Sequence, residues 1–239
     1  MLIVNFELNI SQSLSHHNKK VISCRRCPRL VHYLSEIKKG NPGYWCCPVP
    51  GFGDLEARIL IFGLAPGRKG SNRTGRMFTG DSSGDTLYNT LYTVGLASQP
   101  QAWGLDDGLH LNRTYITAVI RCAPPKNHPL REEIENCSHF LQEELRILKN
   151  IEVVIALGRI AHETYLRLRG VPLRVMPFRH GAIHYFPEPP YILIDSYHPS
   201  RQNTQTGRLT QKMFLKVFEN AVKLIRKGRA GVSPVSSKR

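Results

Sequence analysis

Four short apolar runs rich in β-branched residues stand out along the chain: Arg58–Gly63 (RILIFG), Tyr115–Arg121 (YITAVIR), Val153–Gly158 (VVIALG) and Tyr191–Tyr197 (YILIDSY). Each is bounded by Gly, Pro or polar residues, and a continuous apolar run of this length reads as a strand buried on both faces. Between them the spacing changes to that of amphipathic helices, over Thr86–Leu96, Ile160–Leu168 and Arg131–Leu148, where Ile134, Leu141, Leu145 and Leu148 recur at helical intervals. A last helix is expected from about Thr206 to Lys227, and His180–Phe186 (HGAIHYF) reads as a peripheral strand. Strands alternating with helices imply right-handed crossovers, hence an α/β fold whose central, mostly parallel four-stranded sheet is covered on both faces. One domain is expected over residues 21–227. Residues 1–20 show no strong periodicity and 228–239 (GRAGVSPVSSKR) are small, polar and basic, so both ends are expected to be loosely held.

Charge narrows the class of partner. The 239 residues carry 33 Lys plus Arg against 18 Asp plus Glu, a formal net charge of +15. Lys223, Arg226, Lys227, Arg229, Lys238 and Arg239 crowd the C-terminus, yet without these six the rest still carries +9. Such a body favours polyanions, although general solubility is the blander account. A composition 41% hydrophobic and 21% charged excludes wholesale disorder and low-complexity classes. No apolar run reaches the ~18 residues of a membrane span, and Asn5, Glu7, His16 and His17 interrupt the stretch a signal peptide keeps apolar. A cytoplasmic protein is expected, with no membrane partner.

Ligands of open α/β sheets gather beyond the carboxyl ends of the strands. Three of the four ends carry unusual residues: GLAPGRKGSNRTGRMFTGDSSG (63–84), RCAPPKN (121–127) and YHPSRQNTQTGR (197–208). The end after Gly158 is blander, with Arg159 and His162 opening a helix. The glycine-rich first loop lacks the GxxxxGK[ST] and GxGxxG spacings, which argues against nucleoside triphosphate and NAD sites. Phe78 offers an aromatic face for stacking on a base, or a core anchor for the loop. Asp81 is the carboxylate of that loop and also stands where a helix cap belongs. His198 follows a strand directly, and Pro199 keeps it out of a helix.

Six cysteines without a secretion signal point to a metal or a cluster rather than to disulfides. Cys24 and Cys27 form a CxxC unit, Cys122 ends a strand and Cys137 enters the next helix. An N-terminal helix docked beside that connection lets four thiolates converge, a set that suits zinc or an iron–sulfur cluster alike. The wide gap from Cys27 to Cys122 is unlike a compact zinc ribbon, and the adjacent Cys46 and Cys47 read as structural.

Together, GLAPG, GRMFTGD, RCAPPKN and HPSRQNTQTGRLT, with Cys24, Cys27, Cys122 and Cys137, resemble the family 5 uracil-DNA glycosylases over roughly Cys24 to Ile225. The resemblance implies a three-layer α/β/α sandwich and a structural [4Fe–4S] cluster on those four cysteines. It further implies hydrolytic excision of uracil and other deaminated or damaged bases from DNA, leaving an abasic site, the first step of base excision repair. The partner would be such DNA, and the enzyme a monomer associated with the nucleoid when acting on DNA. A duplex base hides its glycosidic bond, so the nucleotide must first be extruded into a pocket. Breaking that bond builds positive charge on the sugar and negative charge on the base. Asp81 is expected to stabilise the cationic sugar and activate water, His198 to donate a hydrogen bond to the leaving base, and Asn203 to position water, base or phosphate. Gly63, Leu64, Ala65, Phe78 and Ala118 are expected at the substrate, and Ser200, Arg201 and Arg208 at the DNA.

Two positions depart from related glycosylases. Leu64 stands where the cluster-bearing sister family has an acidic residue, which makes Asp81 the substitute and leaves open a lesion-binding iron–sulfur protein that does not cut. Ala118 stands where sister enzymes place an Asn that reads the edge of uracil, so hypoxanthine and modified pyrimidines should be tolerated. Arg201 and Gln202 occupy a region where some relatives insert an apolar wedge, which Arg201 would fill polarly or turn to a phosphate. An unrelated zinc hydrolase of small anions is the remaining reading, and it would lack salt-sensitive DNA affinity.

Overall fold

Every residue of strands β2 (Ile59–Gly63), β3 (Thr114–Ala118), β4 (Val153–Leu157) and β6 (Ile192–Ser196) is buried in the computed structural model, which describes residues 2–227. The reason is cover on both sides, as expected for parallel strands. Ile59, Ile61, Ile116, Val153, Ile155 and Ile194 face helices α4 (Ser82–Thr93) and α8 (Gln211–Lys227), packing on Leu87, Leu91, Phe214 and Phe218. The alternate residues Leu60, Phe62, Tyr115, Val154 and Leu193 face α1 (Leu2–Ser23), α5 (Arg131–Ile147) and α6 (Arg159–Leu168). The result is a three-layer α/β/α arrangement.

The sheet has six strands rather than the expected four, in the order β1-β3-β2-β4-β6-β5. Its parallel centre is the expected set, and antiparallel edges are added by β1 (Phe52–Gly53) and β5 (Ile183–Tyr185). The two residues of β1 are too few to leave a periodic signal, whereas β5 falls inside the segment read as a peripheral strand. The chain leaves β2 toward β3 on one side and β4 toward β6 on the other. Adjacent strands whose connections diverge this way form the crevice where α/β sheets bind ligands.

The N-terminal segment differs from the expectation of a loose end. α1 runs to Ser23, and Ile10, Leu14, His17 and Val21 are buried at helical spacing. A histidine within the stripe hid the periodicity: His17 packs edge-on against Phe140 at 5.6 Å, with Nε2 3.6 Å from Glu144 Oε1. α2 (Pro28–Gly40) follows, buried through Leu30, Leu34 and Ile37, with Pro28 in its first turn where a missing N–H costs nothing. The expected last helix starts later than Thr206, as α8 from Gln211, and a separate short helix precedes it. A short α7 (Arg201–Gln205) ends before Gly207, whose φ of 71° breaks the path to α8. Residues 228–239, also expected to be loose, lie outside the described residues.

Candidate active site

A cavity of about 480 Å³ opens at the carboxyl ends of the central strands, with both Asp81 and His198 in its lining. Asp81 is the N-cap of α4: its Oδ1 accepts from the Ser83 and Gly84 amides at 3.0 and 3.1 Å. Its Oδ2 lies against Gly67 and Gly70, where a Cβ would stand 2.9 and 2.1 Å from that oxygen. These two glycines are therefore the space that the carboxylate occupies. A capping role and a functional role for Asp81 coexist, one on each oxygen.

The loop that carries Asp81, which includes the short α3 (Ser71–Thr74), is held from below. Arg76, almost fully buried, forms an ion pair with Asp107, including a 2.8 Å bond from Nη1 to Oδ1, and Tyr88 donates its hydroxyl to the Met77 carbonyl at 2.7 Å. Three backbone amides, of Trp103, Gly104 and Leu109, also donate to Asp107. Phe78 adopts a left-handed φ of 52° and stacks on His198, with ring centroids 5.8 Å apart and planes 27° apart. Such a conformation costs a non-glycine residue energy and persists where its surroundings over-determine it.

His198 stands where β6 ends. Burial pushes its imidazole down to about 4, against the pull of the Asp81 charge, so the ring is neutral at physiological pH. Asn203 does not line the cavity. Its amide donates to the His198 carbonyl at 2.8 Å, fixing the backbone of that loop, while Ser200 caps α7 and does line the cavity.

The other expected residues sort by depth. Leu64, Ala65 and Phe78 line the cavity. Gly63 and Ala118 lie one layer beneath, paired in register, and a Cβ on Gly63 would come within 3.0 Å of Phe78. Arg201 and Arg208 are exposed: Arg201 donates to Ser82 Oγ at 3.2 Å, and the Arg208 guanidinium lies 4.6 Å over the Tyr197 ring. Sequence reasoning missed Ser71, Met77, Asn127 and the whole stretch Leu157–Ala161. That stretch follows β4 at the divergence point and presents the N-terminus of α6 to the cavity, so strand position alone was the signal for it. Asn127 has a left-handed φ of 60° in the loop after β3.

The four expected cysteines converge elsewhere, around one small cavity between α2, the end of β3 and α5. Cys24 and Cys27 come from the turn joining α1 to α2, Cys122 from just beyond β3 and Cys137 from within α5. Burial and then the neighbouring sulfurs Cys137, Cys24 and Cys27 push the Cys122 thiol far up. Cys137 is raised to about 11, mainly by burial and against the Arg121 charge. Thiols gathered this way resist ionisation despite the nearby Arg25 and Arg121 charges, a condition that a bound metal or cluster relieves. A separate group, the buried His162 and Asp195 with the partly buried His184, was not anticipated. Asp195 meets His162 Nδ1 at 2.7 Å and His184 Nε2 at 3.0 Å, hydrogen-bonding distances that tie α6, β5 and β6 together.

The family described as the Uracil DNA glycosylase superfamily matches residues 50–222. A Type-5 uracil-DNA glycosylase of Thermus thermophilus is 52% identical over 208 residues, covering 84% of this chain and 94% of that protein. One of Mycobacterium tuberculosis is 43% identical over 220 residues, 89% and 82% of the two chains. A Type-4 uracil-DNA glycosylase of Archaeoglobus fulgidus is 30% identical over 158 residues, 66% and 65% of the two chains. The cavity between diverging strands, with a capped carboxylate opposite a neutral histidine, thus sits in a chain that belongs to the uracil DNA glycosylase superfamily and groups with its Type-5 members.

Proposed function

We propose that the protein is a monofunctional uracil-DNA glycosylase in which Asp81 and His198 divide the charge of the transition state. The observation that carries this reading is their meeting across one cavity in complementary states, an anionic acceptor and a neutral ring. With Oδ1 tied to the cap, Oδ2 of Asp81 is the atom to stabilise positive charge at the sugar and to accept a proton from the attacking water. His198 donates an N–H to the base as negative charge develops on it. Phe78, stacked on His198, supplies a face for the extruded base. Asn203 acts through the loop backbone rather than on the substrate. Ser200 in the cavity lining and the exposed Arg201 and Arg208 meet the phosphates. Incubation with a labelled U·G duplex followed by alkali should give a strand break at the uracil; binding without an abasic product would instead support a lesion-binding protein.

Cys24, Cys27, Cys122 and Cys137 would hold a [4Fe–4S] cluster, which would supply a covalent tie between α1–α2 and β3–α5 rather than electron transfer. Among the described residues only His162, His184 and Asp195 bring three ligand atoms within 4.8 Å of one another. The four sulfurs are therefore spread more widely than the roughly 3.8 Å spacing that ~2.3 Å bonds to a single tetrahedral zinc would impose, as a larger cluster requires. Cys24→Ala should bring iron and acid-labile sulfide to a small fraction of the wild-type content and lower thermal stability; full iron retention would refute the ligand set.

Two expectations concern the reaction itself. Because burial holds the His198 imidazole down to about 4, its titration should leave the excision rate unchanged between pH 5 and 8. A single-turnover pH profile checks this. With Ala118 beneath the wall and no side-chain amide there, hypoxanthine opposite T should be released as well as uracil opposite G; release of uracil alone would show that another group reads the base. We further place the enzyme in the cytoplasm as a monomer acting on DNA. No described helix is long and apolar enough to cross a membrane.

A further inference from the structure

The peptide that delivers His198 is gripped from both directions. On the far side, Asn203 holds the His198 carbonyl. On the near side, His180 Nδ1 accepts the N–H of Tyr197 at 3.1 Å, one residue before His198. The His180 ring also lies stacked on Tyr197, with centroids 5.1 Å and planes 18° apart, and the guanidinium of Arg208 lies 4.6 Å from the centre of the same Tyr197 ring. His180 itself comes from the loop preceding β5, which is anchored where the Gly181 amide donates to the Asp195 carbonyl at 2.8 Å. This loop contributes nothing to the cavity wall. Its connection to the site runs through Tyr197.

We propose that His180 is a positioning residue for His198, a neutral imidazole of fixed tautomer whose Nδ1 lone pair sets the backbone from which the His198 side chain projects. An N–H donor faces Nδ1, so the ring proton resides on Nε2, and a hydrogen bond to the Met213 backbone on α8 stabilises that arrangement. Burial lowers the His180 imidazole, against the Met213 bond and the Asp195 charge, which favours the neutral ring that an acceptor must be. A protonated ring would aim a second N–H at the Tyr197 amide and lose the contact. The inference rests on the role given to His198 above.

The test is single-turnover excision from a U·G duplex by the iron-loaded protein, separating the plateau rate from the enzyme concentration at half-saturation. His180→Leu keeps bulk and removes the acceptor, and should lower the plateau at least about tenfold with half-saturation unchanged, because a small misplacement of a reacting group costs that much or more. His180→Asn places a side-chain carbonyl near the position of Nδ1 and should restore the plateau to within about threefold of wild type. A His180→Leu plateau within about twofold of wild type, an Asn variant as slow as Leu, or a loss confined to half-saturation would each overturn the proposal. Should His180→Leu fail to fold, His180→Gln replaces it, since its carbonyl stands one bond further out; equal rates for Asn and Gln overturn the proposal. His198→Ala run alongside separates the two readings. A slow His198→Ala beside a fast His180→Leu removes only the positioning role, whereas an unimpaired His198→Ala removes both.

Discussion

Asp81→Asn should lower the excision rate by about 10³-fold, a loss of ~4 kcal/mol in transition-state stabilisation, while leaving the fold intact. The substitution isolates charge from structure because of how the carboxylate is divided. Oδ1 caps α4 through the Ser83 and Gly84 amides, a task that an Asn side-chain oxygen performs nearly as well. Oδ2 becomes an amide that neither balances a cationic sugar nor takes a proton from water. The lost interaction of the negative charge with the start of the helix is worth under about 1 kcal/mol, so thermal melts should move by only a few degrees. Asp81→Ala would confound the two effects by removing the cap as well. Single-turnover rates and melting curves on both variants check the division. An Asn variant that cuts at the wild-type rate would place the catalytic charge elsewhere.

The parts of this site that the sequence disclosed are those whose chemistry is local. A strand end followed by glycines and one carboxylate, and a His-Pro after the last central strand, identify Asp81 and His198 without any long-range information. The central strands were legible for a similar reason: burial on both faces leaves unbroken apolar runs such as ILIF. The wall at Leu157–Ala161 was not, because these residues look like an ordinary helix start and acquire meaning only from β4 lying beside β2. α1 was obscured because its buried stripe includes His17, whose partner Glu144 is distant in sequence. His180 had no local signature at all, since its role depends on β5 pairing with β6 and so bringing the loop before β5 beside Tyr197.

The same long-range logic makes Arg121 the residue whose loss should most damage stability. It is buried at the end of β3, directly before Cys122, and its guanidinium donates to Glu144 Oε2 on α5 at 2.6 Å and to the Thr117 hydroxyl. Burial by itself would raise the Glu144 carboxyl, yet Arg121 foremost, with His17, reverses this and holds it below the usual range. The carboxylate is therefore charged in a dry interior, and its partner keeps it so. Arg121→Met would leave that charge without its main counter-ion, at a cost of about 3–5 kcal/mol, or a fall of about 6–20 °C in melting temperature. Adding Glu144→Leu should recover much of the loss, because an apolar pair of similar volume replaces two ions that were costly to bury. A depressed carboxyl contributes stability that is fully present above the unfolded Glu range and is lost as pH falls through its folded value, so wild type should approach Arg121→Met in stability only in acid. Because Cys122 follows directly, the single variant should also lose the proposed cluster more readily on dilution than the double. If Arg121→Met melts within about 2 °C of wild type, the charge on Glu144 is not what the pair maintains.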